Sequence, residues 1–297
     1  MPPPSGPAVS PASPVGQVSF RSGFVTLVGR PNVGKSTLLN RLCGTKVSIV
    51  SDKPQTTRRA VHGVLHRSGV QVVFVDPPGL GTPRTALGSR LNATANDALE
   101  DVDVVCLVVD ATAPFGPGDR FVAARLPADG VVVVNKTDAA APQRILEQLA
   151  RLSEVPAEAY FPLSARTGEG VEGFVEHLLG RMPAGPPYYP EGMVSSLPEE
   201  VAVAELVREQ LLAVVRDELP YAIATRITEW DWPRIRCEIL VERASQRRIV
   251  VGHRGSVLKR VGTEVRRQLP PGAYLELHVS VDPRWQDRPD AVERYCG

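Results

Sequence analysis

Cysteine is sparse and unpaired along this chain: Cys43, Cys106, Cys237 and Cys296 are scattered, with no C-x-x-C pair among them. That spacing argues against a zinc site and a disulfide framework, and fits a reducing cytoplasm. Long apolar runs are lacking too, since none approaches the ~20 residues that a membrane span needs. Excess charge of either sign is absent: 34 Lys+Arg stand against 33 Asp+Glu, a formal net charge of +1. Any surface for nucleic acid must therefore be local. The first residues have neither the basic start nor the apolar centre of a signal peptide. Residues 1–19, Met1–Gln17 above all, are rich in Pro, Ser and Gly and are expected to form a disordered tail. A length of 297 residues makes two domains the natural division.

What is present begins with Gly29–Ser36, G-R-P-N-V-G-K-S, between an apolar run, Phe24–Val28, and the helical stretch Thr37–Leu42. Gly29 and Gly34 let the backbone curl so that successive N–H groups face an anion, and the helix N-terminus adds partial positive charge. Lys35 can reach the β- and γ-phosphates of a nucleotide, and Ser36 can offer its hydroxyl to Mg²⁺. Gly29, Arg30, Pro31, Asn32, Val33, Gly34, Lys35, Ser36 and Thr37 are thus candidate nucleotide contacts. The polar stretch Ser51–Arg59 reads either as a surface loop or as a nucleotide-sensing loop whose threonine closes on Mg²⁺ and the γ-phosphate. Thr57 is the choice for that role and Thr56 its rival. Strands Gly63–His66 and Gln71–Val75 follow, turning around Ser68-Gly69. The second runs into Asp76-Pro77-Pro78-Gly79, where Asp76 suits the metal-side carboxylate and Gly79 an N–H that senses the γ-phosphate.

The identity of the base comes from further along. Val102–Val109 and Gly130–Val134 read as buried parallel strands, and Arg84–Glu100 has helical composition. The second strand ends in Asn135-Lys136-Thr137-Asp138. A carboxylate at Asp138 can accept from guanine N1–H and the exocyclic amine, both absent in adenine. Asn135 can hold the loop and the N7/O6 edge, and the Lys136 stem can lie along the ring. After a short strand, Tyr160–Leu163, come Ser164-Ala165-Arg166, where the Ala165 N–H can reach guanine O6. Val171–Leu179 completes the unit with a helix.

Pro183, Pro186, Pro187 and Pro190 make 183–197 a stiff connector. A helical stripe over Glu199–Arg216 follows. Strands are expected over Tyr221–Trp230 and Arg234–Glu242, helices over Ser245–Val251 and Ser256–Gln268, and a strand over Ala273–Val281. The order α-β-β-α-α-β, with Gly252-His253-Arg254-Gly255 between the last two helices, matches a type II KH module. Its G-x-x-G loop would clamp single-stranded nucleic-acid backbone. Arg243, Arg247, Arg248, Arg254, Lys259, Arg260, Arg266 and Arg267 face a single nearby acid, Glu264. A solvated helix face is the plain reading of such a run; loop, helices and strand order together favour RNA contact. Arg247, Arg248, Gly252, His253, Arg254, Gly255, Lys259 and Arg260 are the candidates.

With these motifs the sequence resembles the Era family of bacterial GTPases over about Phe20 to Trp285. The likeness rests on G-R-P-N-V-G-K-S-T-L-L-N, Q-T-T-R, D-x-P-G, N-K-T-D, S-A-R, V-E-R-A-S-Q-R-R-I-V-V-G and L-K-R-V-G. It implies a Mg²⁺-dependent GTP-hydrolysing factor for small ribosomal subunit assembly, binding near the 3′ end of small-subunit rRNA. It also implies a cytoplasmic protein with peripheral contact at the inner face of the cell membrane. No DNA partner is expected. Two positions depart from the family: Pro77 stands where Thr is usual, which bears on the backbone of the metal-side loop, and His253-Arg254 replaces a Lys-rich pair.

The fold expected is a doubly wound, mostly parallel α/β P-loop GTPase domain (20–182), a linker (183–197), a type II α+β KH domain (198–282) and a C-terminal tail (283–297). Water attacks the γ-phosphate of GTP, with Lys35, Thr57 and Gly79 around the reacting group. The glutamine that follows D-x-x-G in signalling GTPases is replaced by Leu80. Asn32 either caps the loop or helps to hold K⁺ against the phosphates. The competing function is a signalling switch whose second domain binds protein or membrane.

Overall fold

The computed structural model describes residues 20–53, 56–79, 83 and 85–296; the tail reading of 1–19, Gln55 of the Q-T-T-R stretch, and Leu80 lie outside them. Strands β1 (Arg21–Val28), β2 (Val61–Arg67), β3 (Val70–Asp76), β4 (Val104–Asp110), β5 (Val131–Asn135) and β6 (Ala159–Pro162) form a sheet in the order β2-β3-β1-β4-β5-β6. β2 and β3 are an antiparallel hairpin, and the remaining neighbours are parallel. All seven residues of β4 are buried, as befits a central strand covered on both faces. One face carries α1 (Lys35–Cys43) and α5 (Val171–Arg181), through Leu38, Leu39, Leu42, Phe174 and Leu178. The other carries α2 (Ala86–Asp97), α3 (Pro117–Ala123) and α4 (Pro142–Leu152), through Ala95, Val122 and Leu152. Because the central strands run parallel, Val28, Asp76, Asp110 and Asn135 end at the same edge, where such sheets bind ligands.

The second unit starts with α6 (Glu199–Val214) and a single turn, α7 (Leu219–Ala222). Strands β7 (Ala224–Asp231) and β8 (Arg234–Val241), helices α8 (Ala244–Val251) and α9 (Ser256–Arg266), strand β9 (Tyr274–Val281) and helix α10 (Pro289–Cys296) follow. β8 pairs antiparallel with β7 and parallel with β9. Val203, Val207 and Leu211 of α6 and Val261 and Val265 of α9 cover Ile235, Cys237, Ile239, Leu275 and Val279 of this sheet.

Three features differ from sequence expectation. Tyr221 and Ala222 are helical rather than extended. Pro220, in the first turn of α7, has its φ already set for a helix and gives up no donor that the turn needs. The strand therefore begins only at Ala224. Residues 283–296 are not a simple tail. Trp285 is fully buried and α10 packs Ala291, Val292 and Tyr295 in one cluster with Leu87 and Leu91 of α2 and with Ala224 and Leu240 of the second sheet. The Pro-rich connector is stitched to the first sheet: Gln71 accepts from Tyr188 N (2.7 Å) and Tyr189 N (3.0 Å) and donates to Tyr189 O (2.8 Å). Bridges Arg21–Ala184 and Gly63–Ser195 tie down its two ends.

Candidate functional site

Between β1 and α1 the chain makes one tight loop. Gly34 has φ +98°, and a Cβ there would lie 2.3 Å from Asn135 Nδ2; conformation and close approach both demand glycine. Lys35 is buried, and its Nζ donates to Gly29 O (3.0 Å) and Arg30 O (3.1 Å). Burial lowers its pKa, with Asp76 opposing. Ser36 Oγ donates to Asp76 Oδ2 at 2.6 Å and lies 3.2 Å from Thr57 Oγ1. Ser48 Oγ is 3.3 Å from the same carboxylate oxygen. Thr56 instead donates its hydroxyl to Lys53 O, so of the two threonines it is Thr57 that joins Ser36 and Asp76.

Asp76 has an orphaned side. Its Oδ1 is buried without a hydrogen-bond partner, and burial raises its pKa against the pull of Lys35. A buried carboxylate oxygen of this kind is costly unless a cation meets it. One carboxylate and two hydroxyls form a hard, all-oxygen donor set suited to Mg²⁺ whose other ligands come from phosphates and water. Gly79 lies across the loop: a Cβ there would be 3.3 Å from Pro31. Pro77 is accommodated as a buried residue just after β3. A cavity of about 290 Å³ is lined by Pro31, Asn32, Gly34, Lys35, Ser36, Thr37, Thr57, Gly79 and Lys136.

At the other end of the loop, Asn135 braces the protein. Its Nδ2 donates to Val33 O (2.9 Å), and its Oδ1 accepts from Lys136 N (2.8 Å) and Ala165 N (3.0 Å). The Ala165 N–H expected to reach a base is thus paired with Asn135, as a buried amide must be. The amide of Asn135 thus holds the loop with three of its four hydrogen-bonding positions, leaving the second N–H of Nδ2 as the one that a base edge could accept from. Lys136 Nζ bridges Asn32 O and Asp110 Oδ2, both at 2.6 Å. Asp110, beside Asn135 in the β4–β5 register, is missing from the motif reading although its position at a strand end next to Asn135 is a signal. Asp138 accepts from Ser164 Oγ at 2.6 Å and pairs with the exposed Arg166. The Ser164 hydroxyl, with Arg166 assisting, holds its carboxyl below the usual range. It stands as an acceptor just past the end of β5, beside Ser164.

In the second unit, Gly252 has φ +74°, with Val257 N 2.8 Å from any Cβ, so the turn between α8 and α9 requires glycine. Arg247, Arg248, Gly252, His253 and Arg254 line one shallow depression. His253 and Arg254 are exposed, as are Lys259 and Arg260 on α9. Among the described residues, Arg267 has a carboxylate partner, Glu264, while Arg247, Arg248, Arg254, Lys259 and Arg260 take part in no ion pair. Three of these cations, Arg247, Arg248 and Arg254, are brought to the depression at the G-x-x-G turn.

The matching family models are described as 50S ribosome-binding GTPase, over residues 24–136, and KH domain, over 218–286. GTPase Era of Nocardioides sp. is 42% identical, covering 94% of this chain and 96% of that protein. GTPase Era of Mycobacterium tuberculosis is 43% identical over 93% and 98%. The chain belongs to the Era family of GTPases. Among solved structures, Era in complex with MgGDPNP and nucleotides 1506–1542 of 16S ribosomal RNA superposes with a TM-score of 0.88 at 36% identity, covering 93% of this chain and 98% of that one. A single-residue variant of Aquifex aeolicus Era bound to GDP·AlF4⁻ gives 0.86 at 36% identity over 93% and 99%. As an Era-family chain it is a GTPase with a C-terminal KH domain. No helix among the described residues is long and apolar enough to cross a membrane.

Proposed function

We propose that this GTPase acts in small ribosomal subunit assembly, its first domain turning over GTP while its KH domain holds RNA from near the 3′ end of the small-subunit rRNA. One observation carries the reading: a glycine-bounded loop beside the Ser36–Thr57–Asp76 oxygen cluster and a cationic G-x-x-G turn are built into one chain. The relative crystallised with MgGDPNP and 16S rRNA nucleotides supports both halves. Ser36, Asp76 and Thr57 would hold Mg²⁺, which would neutralise the phosphate oxygens. Lys35 exchanges its two loop carbonyls for phosphate oxygens, and the Gly79 N–H faces the γ-phosphate. Asp138 reads the guanine donors, and Ser164 keeps that carboxylate oriented and ionised. Pull-down of ribosomal subunits with and without nuclease tests the second half. Loss of association on RNA removal is expected; association that survives it favours a domain that docks on protein. Cosedimentation with anionic vesicles tests contact with the inner membrane face, a further part of the proposal.

Water activation needs another group, because Leu80 has no polar atom with which to orient it. Asn32 has φ +66°, is exposed, and donates its Nδ2 to Asp52 O. Its amide oxygen is a ligand of the kind that K⁺ takes. K⁺ is therefore expected to speed single-turnover hydrolysis over Na⁺ at equal ionic strength by up to about 10²-fold, the order of one charge-stabilising contact. Asn32→Ala should abolish the difference while retaining GTP. Equal rates in the two salts, with and without RNA, would rule the cation out and leave RNA or the ribosome to supply the group.

A further inference from the structure

The loop that carries Thr57 is held from outside its own domain. Arg58, the next residue, is buried, and its guanidinium docks on the KH domain. Nη1 donates to Ile223 O (2.6 Å), and Nη2 to Tyr221 O (2.9 Å) and Pro220 O (3.4 Å). The same guanidinium lies over the Trp285 ring, 5.6 Å from its centroid, and Trp285 is itself fixed by Nε1 donating to Ala222 O at 2.9 Å. Two residues before Arg58, Thr56 O accepts from Arg208 of α6, which Glu205 orients at 2.9 Å. Further upstream, Val50 N donates to Glu209 Oε1 at 3.0 Å, and Lys46 pairs with the same carboxylate.

This is not a surface ion pair. The three acceptors of Arg58 are main-chain carbonyls in and just after one short turn, α7, so its fork reads the position of that turn rather than a mobile side chain. Burial, with Arg208 nearby, lowers its pKa to about 10, which leaves it charged at neutral pH and dependent on those carbonyls for its solvation. Consecutive Cα atoms are about 3.8 Å apart, so a displaced Arg58 carries Thr57 with it. Thr57 stands 3.2 Å from Ser36, a separation that such a movement breaks.

We propose that Arg58 is a positioning residue for GTP hydrolysis: docked on the α7 carbonyls and on Trp285, it sets Thr57 beside Ser36, so that the seating of the KH domain governs the γ-phosphate side of the nucleotide site. The inference rests on Thr57 acting in that site. It gives the C-terminal segment a role in the reaction, because Trp285 supplies the ring and α10 holds that ring against α2, the helix that follows D-x-x-G.

The test uses the full chain with Arg58→Ala, Arg58→Lys, Thr57→Ala and the Thr57→Ala/Arg58→Ala double variant. Affinities for GDP and for GDPNP, the Mg²⁺ concentration at half-maximal rate, and the single-turnover rate are measured for each. GDP has no γ-phosphate, so its affinity reports on fold and phosphate loop alone. Arg58→Ala is expected to keep GDP affinity within about twofold. It should lose about tenfold in GDPNP affinity and rate, the size of coupling usual between touching residues, and need more Mg²⁺. Arg58→Lys should recover part of this, since a charged donor group remains but the planar fork does not. The double variant should be no worse than Thr57→Ala, because the two residues act as a unit. Trp285→Leu should share the Arg58→Ala pattern. Wild-type GDPNP affinity and rate in Arg58→Ala, losses that add to those of Thr57→Ala, or an equal loss of GDP affinity in every dock variant would overturn the proposal. Thr57→Ala hydrolysing as wild type would instead overturn the reading of Thr57 on which it stands.

Discussion

Asp138→Asn is expected to weaken GTP binding by about 10²-fold or more, the cost typical of a site built to pair a donor that then meets none. In the wild type the carboxylate is an acceptor only, held by Ser164 at 2.6 Å and by Arg166. Guanine presents two donors to it, N1–H and the 2-amino group. Asparagine offers one acceptor and one donor, so its amide faces the 2-amino group donor to donor. Xanthine has a carbonyl at that place, and the variant should therefore prefer xanthosine triphosphate to GTP. Competition against a fluorescent nucleotide reads both affinities. RNA binding by the same variant shows that it is folded. Unchanged GTP affinity would remove Asp138 from base recognition.

Replacing His253 and Arg254 together by aspartate is expected to lower RNA affinity by about 10²-fold at about 0.1 M salt while leaving GTP affinity within about twofold, since the change puts negative charge where phosphates approach. Both side chains are exposed, so the fold does not depend on them. Gly252 and Gly255 remain to make the turn. Loss of the Arg254 phosphate contact should flatten the plot of log affinity against log salt by about one unit. Titration of a labelled single-stranded RNA over a series of salt concentrations measures both effects. Wild-type RNA affinity in this variant would mean that the second domain is not the reader.

How much of this is legible in the sequence depends on how local the chemistry is. The phosphate loop, Asp76 and Asp138 are readable because each is fixed by its own strand end and by the spacing of a few residues. The G-x-x-G turn is readable because glycine at Gly252 is a backbone requirement. The base-end amides are only half readable. Asn135 belongs to a motif, but that its amide ties Val33, Lys136 and Ala165 together follows from how two loops meet. Arg58 is illegible: in sequence it is one of two arginines ending a polar loop, and its partners lie more than 160 residues away. Trp285 and α10 are missed for the same reason. Eight residues of helix carry too little periodicity to declare themselves, and they are ordered by the cluster they join.

The proposed function joins, in one chain, GTP turnover to recognition of the 3′ end of small-subunit rRNA. Its most direct test is the equilibrium binding of the full chain, loaded with Mg²⁺ and GDPNP, to a single-stranded RNA copying that 3′ end, against a scrambled RNA of equal length and composition at the same salt. The expected result is tighter binding of the true sequence by at least about 10-fold, on the order of one or two specific base contacts, lost in the His253→Asp/Arg254→Asp variant. Equal affinity for the two RNAs, or a preference untouched by that variant, would contradict the claim.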